Sequence, residues 1–388
     1  MRCSFALCAL TFALIMNRLT FIILCLEGAV LSFSVAAAAA LVPSIARDFA
    51  LSQFIVGRII WIYMLPYGLA ALVYGPLARS FDAKKIELIC LFGFCLASLF
   101  AGLSGGIHML FAARFFMGVF GASVVPLALI LIARQMGASG RGKFVGIFFG
   151  ATFVASLTGL ILSAVLDWRL NFIIPALCGF LLLPVMYFYL PSFKPDSGKI
   201  RINYLRALKD KTVINIFSYI FIISLLYHGV QQWLGVYFST ELFLNQIAIS
   251  LLVTLTSLSG VFGEVAGGWL TDSLGRRKTI NLGVVLMAAG VFTLVFKMPV
   301  FALALVMIAW GAGWTFNHCG ISTVITDLPG EFLNEAASLN SSVRFISGGL
   351  GVFLGGLILQ RSFIQGFIIF GLALILLLIV SKRISSSA

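Results

Sequence analysis

Glu27 is a carboxylate set in hydrocarbon, and it needs a chemical reason to be there. It stands about nine residues into an apolar run that begins at residue 19, which at about 1.5 Å of rise per helical residue is close to mid-membrane. An ionised carboxylate at that depth costs several kcal/mol unless it is paired, hydrated or protonated, so the residue is a candidate for binding a proton or a cation. Arg114, about seven residues in from the end of another run, falls at a comparable depth. A guanidinium beside Glu27 would favour its deprotonated form, against the push of burial, and opposed pushes make a carboxylate switchable. The plain alternative is a static pair that holds two helices together.

Three further groups could contact a solute. His228, Gln231 and Gln232 share one helical face at i, i+3 and i+4. Trp310, Trp314 and Asn317 do the same at i, i+4 and i+7, with His318 beside them. Aromatic walls with a few polar points suit lipophilic or cationic solutes, while packing is the other use of such residues. Asn340, Arg344 and Ser347 line a third face. Arg344 either faces a cavity and attracts anions, or snorkels, or pairs with Glu264. The seven cysteines lie in apolar segments without metal-ligand spacing. There is no G-x-x-x-x-G-K-S/T loop for direct use of ATP, and no polar insert large enough to house an enzyme.

The elements that must carry these residues follow from composition. Of the 388 residues 61% are apolar and 10% charged, against about 45–50% and about 25% in soluble domains. That excludes a soluble fold. Apolar runs at 19–42, 54–74, 86–106, 108–133, 144–166, 171–190, 213–236, 247–270, 279–297, 300–325, 336–359 and 362–381 make twelve spans, each near the length a bilayer requires. The expected fold class is therefore an all-α polytopic membrane protein. The excess of 26 Lys and Arg over 13 Asp and Glu is not a nucleic-acid stripe, because position explains it. Nineteen basic residues fall on one side of the spans, five on the other and two within them. The positive-inside rule then places both termini in the cytoplasm.

The longest polar segment, 191–212, divides the spans six and six and carries six basic residues. The reading is a leader at 1–18, one bundle at 19–190, a cytoplasmic linker at 191–212, a second bundle at 213–381 and a tail at 382–388. Residues 5–16 are apolar but too short to span, and Asn17-Arg18 separate them from the next run. Two readings stay open: Met16 as the natural start, or an interfacial amphipathic leader.

An internal repeat supports the division. Gly75-Pro76-Leu77-Ala78-Arg79-Ser80-Phe81-Asp82 follows the second run, and Gly268-Trp269-Leu270-Thr271-Asp272-Ser273-Leu274-Gly275-Arg276 follows the eighth, 193 residues on. At the same offset Gly118 meets Gly311. Stretch 268–278, GWLTDSLGRRK, resembles the G-x-L-x-D-x-x-G-R-R/K signature loop of the major facilitator superfamily. There Gly268 and Gly275 would permit tight turns, Asp272 would cap a helix, and Arg276 would hold the cytoplasmic face. In the first copy Arg79 stands where the family has Asp, and Asp82 where it has Gly. Leu110-x-x-x-Arg114-x-x-Met117-Gly118 is similar to the fourth-helix motif, and Trp168-Arg169-x-x-Phe172 to the W-R-x-x-F that enters the sixth helix. The antiporter signature of the fifth helix is partial. Gly146, Gly150 and Gly159 fit it, but Ser163-Ala164 replace its Gly-Pro.

The resemblance implies two pseudo-symmetric six-helix bundles with a substrate site between them, the small-xxx-small pairs Gly146/Gly150 and Gly351/Gly355 serving close helix approach. Proton-coupled drug exporters of the superfamily carry an acid in helix 1, which Glu27 resembles, and the helix-4 arginine matched by Arg114 is implicated in coupling. The implied function is proton-coupled efflux of small lipophilic or cationic solutes by a monomer in a bacterial inner membrane, with the proton gradient as energy source and no cofactor, metal or nucleic acid. The expected partners are a small-molecule substrate, protons and the lipid bilayer. Two alternatives stand beside it: uptake of a sugar or organic anion by symport or facilitation, with Arg114 and Arg344 supplying positive charge, and a non-transporting membrane sensor or assembly protein.

Overall fold

The computed structural model describes residues 2–135, 141–192, 204, 208–326 and 333–381, and every regular element among them is a helix. These are α1 (Arg2–Asp48), α2 (Gln53–Val56), α3 (Arg58–Ser80), α4 (Ala83–Gly102), α5 (Ile107–Gly121), α6 (Val124–Gln135), α7 (Arg141–Leu162) and α8 (Leu170–Tyr189). The second half has α9 (Lys211–Gln231), α10 (Leu234–Thr240), α11 (Gln246–Leu274), α12 (Arg276–Thr293), α13 (Val300–Thr326), α14 (Leu333–Leu359) and α15 (Phe363–Ser381). Ten spans among the described residues are long and apolar enough to cross a bilayer, and Phe363–Ile379 adds a shorter apolar helix. Helix α12 takes the place of the ninth predicted span, its first turn made polar by Arg276, Arg277 and Lys278.

Three of the predicted spans are broken, the second span at Gly57 between α2 and α3. The fourth is divided between α5 and α6 at Ala122–Ser123, and the seventh between α9 and α10 at Gln232–Trp233. Continuous apolarity hides such breaks, since a turn can stay buried if its carbonyls find partners. Asn17 and Arg18 do not interrupt α1; polarity alone does not end a helix, and neither residue is a strong breaker. The linker 191–212 lies largely outside the described residues, and the tail 382–388 lies wholly outside them.

The repeat is visible in how the helices pack. In the first half α1 lies on α7, α3 and α4 on α5, and α4 on α8; in the second, α9 lies on α14, α11 and α12 on α13, and α12 on α15. Gly118 sits against the carbonyl of Tyr63 with no room for a side chain, and Gly311 sits in the same way against that of Thr256, 193 residues on in both members. Outward-facing grooves repeat too. One of ≈ 480 Å³ is lined by Leu65, Leu69 and Phe115, and one of ≈ 400 Å³ by Leu258, Phe262 and Ile308.

The halves meet through α3 on α14, α7 on α11, and α1 on α10 and α11. Their closure is tight on the face opposite the 75–85 and 268–278 connections. Ser44 Oγ donates to Gln246 Oε1 at 2.8 Å, Gln53 Nε2 to Ser239 Oγ at 3.0 Å, and the hydroxyls of Ser163 and Ser250 are 3.0 Å apart. Midway along α3, Ser342 donates to the Gly68 carbonyl at 2.5 Å, and the rings of Tyr67 and Phe345 stack at 3.9 Å.

The glycine expectations divide. Gly351 and Gly355 sit against the carbonyls of Leu225 and Gly229, so they do bring α14 close to α9. Gly146 and Gly150 have open space around them, and in α7 the close approach belongs to Gly159, on the Phe33 carbonyl of α1.

Candidate functional site

The polar residues of the second half converge between α9, α11, α13 and α14. His228 Nδ1 lies 2.9 Å from the carbonyl of Ser224. A carbonyl only accepts, so Nδ1 carries the proton in the neutral ring and Nε2 is left as an acceptor. Ser224 Oγ donates to the carbonyl of Arg344 at 2.9 Å, tying α9 to α14. Tyr227 stacks on Trp314 at 4.1 Å and on Trp310 at 5.2 Å, and His228 meets the edge of Trp314 at 5.5 Å. The guanidinium of Arg344 lies over the same Trp314 ring at 5.7 Å.

Within this cluster the predicted residues have different duties. Gln231 accepts from Trp310 Nε1 at 2.7 Å, and Asn317 donates to Tyr219 Oη at 2.5 Å. Trp310, Gln231 and Asn317 are buried, so they fasten α13 to α9 and do not line an open surface. Gln232 caps the C-terminus of α9. Asn340 accepts from Arg344 Nε at 2.9 Å, and both terminal nitrogens of Arg344 are buried without a hydrogen-bond partner among the described residues. Trp314, His228 and Arg344 are only partly buried. A methyl group at Gly348 would stand 2.6 Å from Met64 of the first half and 3.1 Å from the His228 ring, so His228 borders the plane between the halves.

Glu264 joins them from α11. Its neighbours Phe262, Val265 and Trp269 are mostly exposed on the outer surface, whereas Glu264 Oε1 is 3.0 Å from His318 Nδ1 and its Oε2 accepts from Cys319 Sγ at 2.7 Å. Its side chain keeps 47% of its surface open, and it lies within electrostatic range of Arg344 without an ion pair among the described residues. An aromatic face, a guanidinium and a half-open carboxylate thus share one place. Among the described residues no three His, Cys, Asp or Glu side chains assemble as a metal site.

Glu27 and Arg114 are elsewhere, and apart. Both are enclosed in the first bundle, 0% and 1% exposed. Arg114 Nε donates to the Ile59 carbonyl at 3.2 Å, and its guanidinium lies over the Tyr63 ring at 4.4 Å. Among the described residues Glu27 has no hydrogen-bond partner on either oxygen. The expected pairing of the two is therefore corrected: Arg114 bonds α3 through Nε, and the titratable group near Glu27 is another carboxyl, Glu87 of α4.

The connecting loops differ from expectation in detail. Gly75 and Gly268 lie inside α3 and α11 and make no turn, because both helices run past them to Ser80 and Leu274. Gly275 does make one, with φ of 87°, a conformation that favours glycine. Asp272 is in the last turn of α11 and does not cap the helix that follows, whose N-cap is Gly275; Arg276 opens that helix. In the first copy Asp82 is the cap, accepting from Lys84 N at 3.1 Å, and it also accepts from Ser192 Oγ at the end of α8. The W-R-x-x-F stretch is a strap, since Trp168 Nε1 donates to Asp48 at 3.2 Å and Arg169 pairs with the same carboxylate.

Comparison with known proteins agrees with this architecture. The family model described as Major Facilitator Superfamily matches residues 20–352 and 238–385. The chain is 24% identical over 337 residues to the uncharacterized MFS-type transporter YceJ of Bacillus subtilis (strain 168), covering 83% of this chain and 84% of that one. It is 36% identical over 132 residues to the puromycin resistance protein pur8 of Streptomyces alboniger, covering 33% of this chain and 26% of that one. In fold it is similar to a bacterial homolog of the human lysosomal transporter Spinster in an inward-facing, unoccupied conformation, with a TM-score of 0.75, 12% identity, and coverage of 95% and 96%. The chain belongs to the major facilitator superfamily, as an all-α transporter of twelve membrane helices in two pseudo-symmetric bundles.

Proposed function

We propose that this transporter exports a small lipophilic or cationic aromatic solute in exchange for protons, working as a monomer in a bacterial inner membrane. The observation that carries this reading is that Trp314, stacked on Tyr227, and the half-open carboxylate of Glu264 both border His318, the first 6.4 Å from its ring and the second 3.0 Å from its Nδ1. An aromatic face beside a carboxylate suits a flat cation. The basic bias places the 75–85 and 268–278 connections in the cytoplasm, so the tight closure on the opposite face corresponds to a protein open toward the cytoplasm. The partial match to a puromycin resistance protein is in keeping with export. Members of the superfamily are driven by ion gradients and need no cofactor.

Glu27 retains the role of proton carrier, in a changed form. Glu27 is enclosed in this conformation, which favours a proton site separate from the solute site. The proton in the first bundle would instead bias which face is closed, since anything that binds one state better shifts the population toward it.

A second reading is uptake of an organic anion, favoured by the two unpartnered terminal nitrogens of Arg344, a fork suited to a carboxylate or phosphate. Quenching of tryptophan fluorescence in the purified protein separates the two. Aromatic cations should bind wild type and lose about tenfold or more in affinity in Glu264→Gln, while Arg344→Gln keeps them. Anion binding that depends on Arg344 and ignores Glu264 would replace the first reading with the second.

A further inference from the structure

Glu87 stands one turn inside α4, which begins at Ala83, and like Glu27 it is 0% exposed. All four oxygens of the two carboxyl groups are buried without a hydrogen-bond partner among the described residues. Packing brings them to one level. A methyl group at Gly179 of α8 would touch Val30 of α1 at 3.1 Å and Leu91 of α4 at 3.5 Å. Glu27 precedes Val30 by three residues and Glu87 precedes Leu91 by four. Since α1 and α4 run in the same direction across the bundle, each carboxylate lies one turn from that shared layer, on the same side of it. Electrostatics agrees, for the charge of Glu27 is felt by Glu87, by Cys90 and by Cys95, all on α4.

The remaining titratable groups around this space are Tyr74 of α3, which donates to the Val119 carbonyl at 2.9 Å and accepts from Cys90 at 3.4 Å, and Cys178 of α8, near Cys95. None of these brings a positive charge; among the described side chains Lys84, one turn before Glu87 on α4, donates to the Tyr187 carbonyl at 2.7 Å, and Arg114 is turned to Tyr63. Two ionised carboxylates cannot share such a space. Each would lack a donor, and they would repel one another at low dielectric.

We infer that Glu27 and Glu87 form one proton-binding site, a carboxyl pair between α1 and α4 in which the two groups hold and release protons together. The inference rests on the reading of Glu27 as the proton carrier and adds its partner. Emptying the pair would place uncompensated charge between α1, α4 and α8, which gives the first bundle a reason to repack when protons leave.

Infrared difference spectra of the purified protein across a pH series, following the carbonyl band of protonated carboxyl groups, test the pair without any substrate. Wild type is compared with Glu27→Gln, Glu87→Gln and the double variant, with circular dichroism confirming helical content. The expected result is a band that titrates in two steps in wild type, in one intermediate step in either single variant, and not at all in the double variant. A Glu27 step left in place and in full by Glu87→Gln would overturn the pair. So would a band that ignores pH and responds to sodium ions, which would make the site a sodium site. Proton-linked transport, measured separately, should fall at least tenfold in Glu87→Gln. Two-step titration without proton-linked transport would leave the pair standing and sink the export reading, and the reverse result would do the opposite.

Discussion

Gln246 donates from Nε2 to the main-chain carbonyl of Ala40 at 2.8 Å, so one bundle holds the backbone of the other. The same amide reaches Ser250 Oγ at 3.1 Å, and its oxygen accepts from Ser44 at 2.8 Å. Around it Gly235 sits on the Ala39 carbonyl and Gly57 on the Trp233 ring, where added side chains would clash. This closure is polar at its centre and depends on small residues at its rim, a combination that can open without exposing a large apolar surface.

Loss of the Gln246 amide should open that face. Gln246→Ala removes bonds worth about 1–3 kcal/mol in total, enough to raise the open population about five- to hundredfold. The readout is the rate at which a membrane-impermeant thiol reagent labels a cysteine placed at Ser250, compared with and without the second substitution. Equal rates would show that closure does not depend on this amide.

Glycine substitutions should sort by what faces them. Gly351→Ala presses a methyl group on the Leu225 carbonyl and should destabilise by about 1–3 kcal/mol. Gly150→Ala meets open space and should be neutral or stabilise by up to about 1 kcal/mol. Thermal midpoints in detergent check both, and a drop of equal size in the two would contradict the packing described.

The strap at the end of α1 should be weak as a charge pair and stronger as a structure. Asp48 and Arg169 keep 44% and 32% of their side-chain surfaces open, so Asp48→Asn should cost less than about 1 kcal/mol and less still at high salt. Arg169→Ala should cost more. It also loses the bond to the Ser104 carbonyl and the guanidinium over the Trp168 ring at 4.3 Å. Thermal midpoints at low and high salt distinguish the two contributions.

Much of the fold was legible in the sequence because hydrocarbon burial is a one-dimensional signal. Twelve apolar runs, the polar divide at 191–212 and the 193-residue repeat all show in the order of residues. Which helix a side chain faces is not written there. Arg114 and Glu27 share a depth but point to different neighbours, and only packing shows that Arg114 meets the Ile59 carbonyl and the Tyr63 ring. The sequence does not single out Glu87, which stands near the start of its run close to Lys84 and Lys85; packing of α8 on α4 accompanies its burial. Tyr227 was lost among many aromatic residues. Nothing local in the sequence marks Gln246, the first residue of α11, as the contact between bundles. Periodicity puts Trp310, Trp314 and Asn317 on one face, but it does not tell that Trp310 and Asn317 are buried against α9 while Trp314 stays partly open.

The most direct test of proton-coupled export uses inverted membrane vesicles energised to an acid interior, with a pH-sensitive dye reporting proton release as pools of cationic and lipophilic aromatic compounds are added. Wild type should release protons with at least one pool, Trp314→Ala and Glu264→Gln should need about tenfold more compound, and Glu27→Gln should release none. Normal proton release by Glu27→Gln, or none from wild type with any pool, would contradict the assignment.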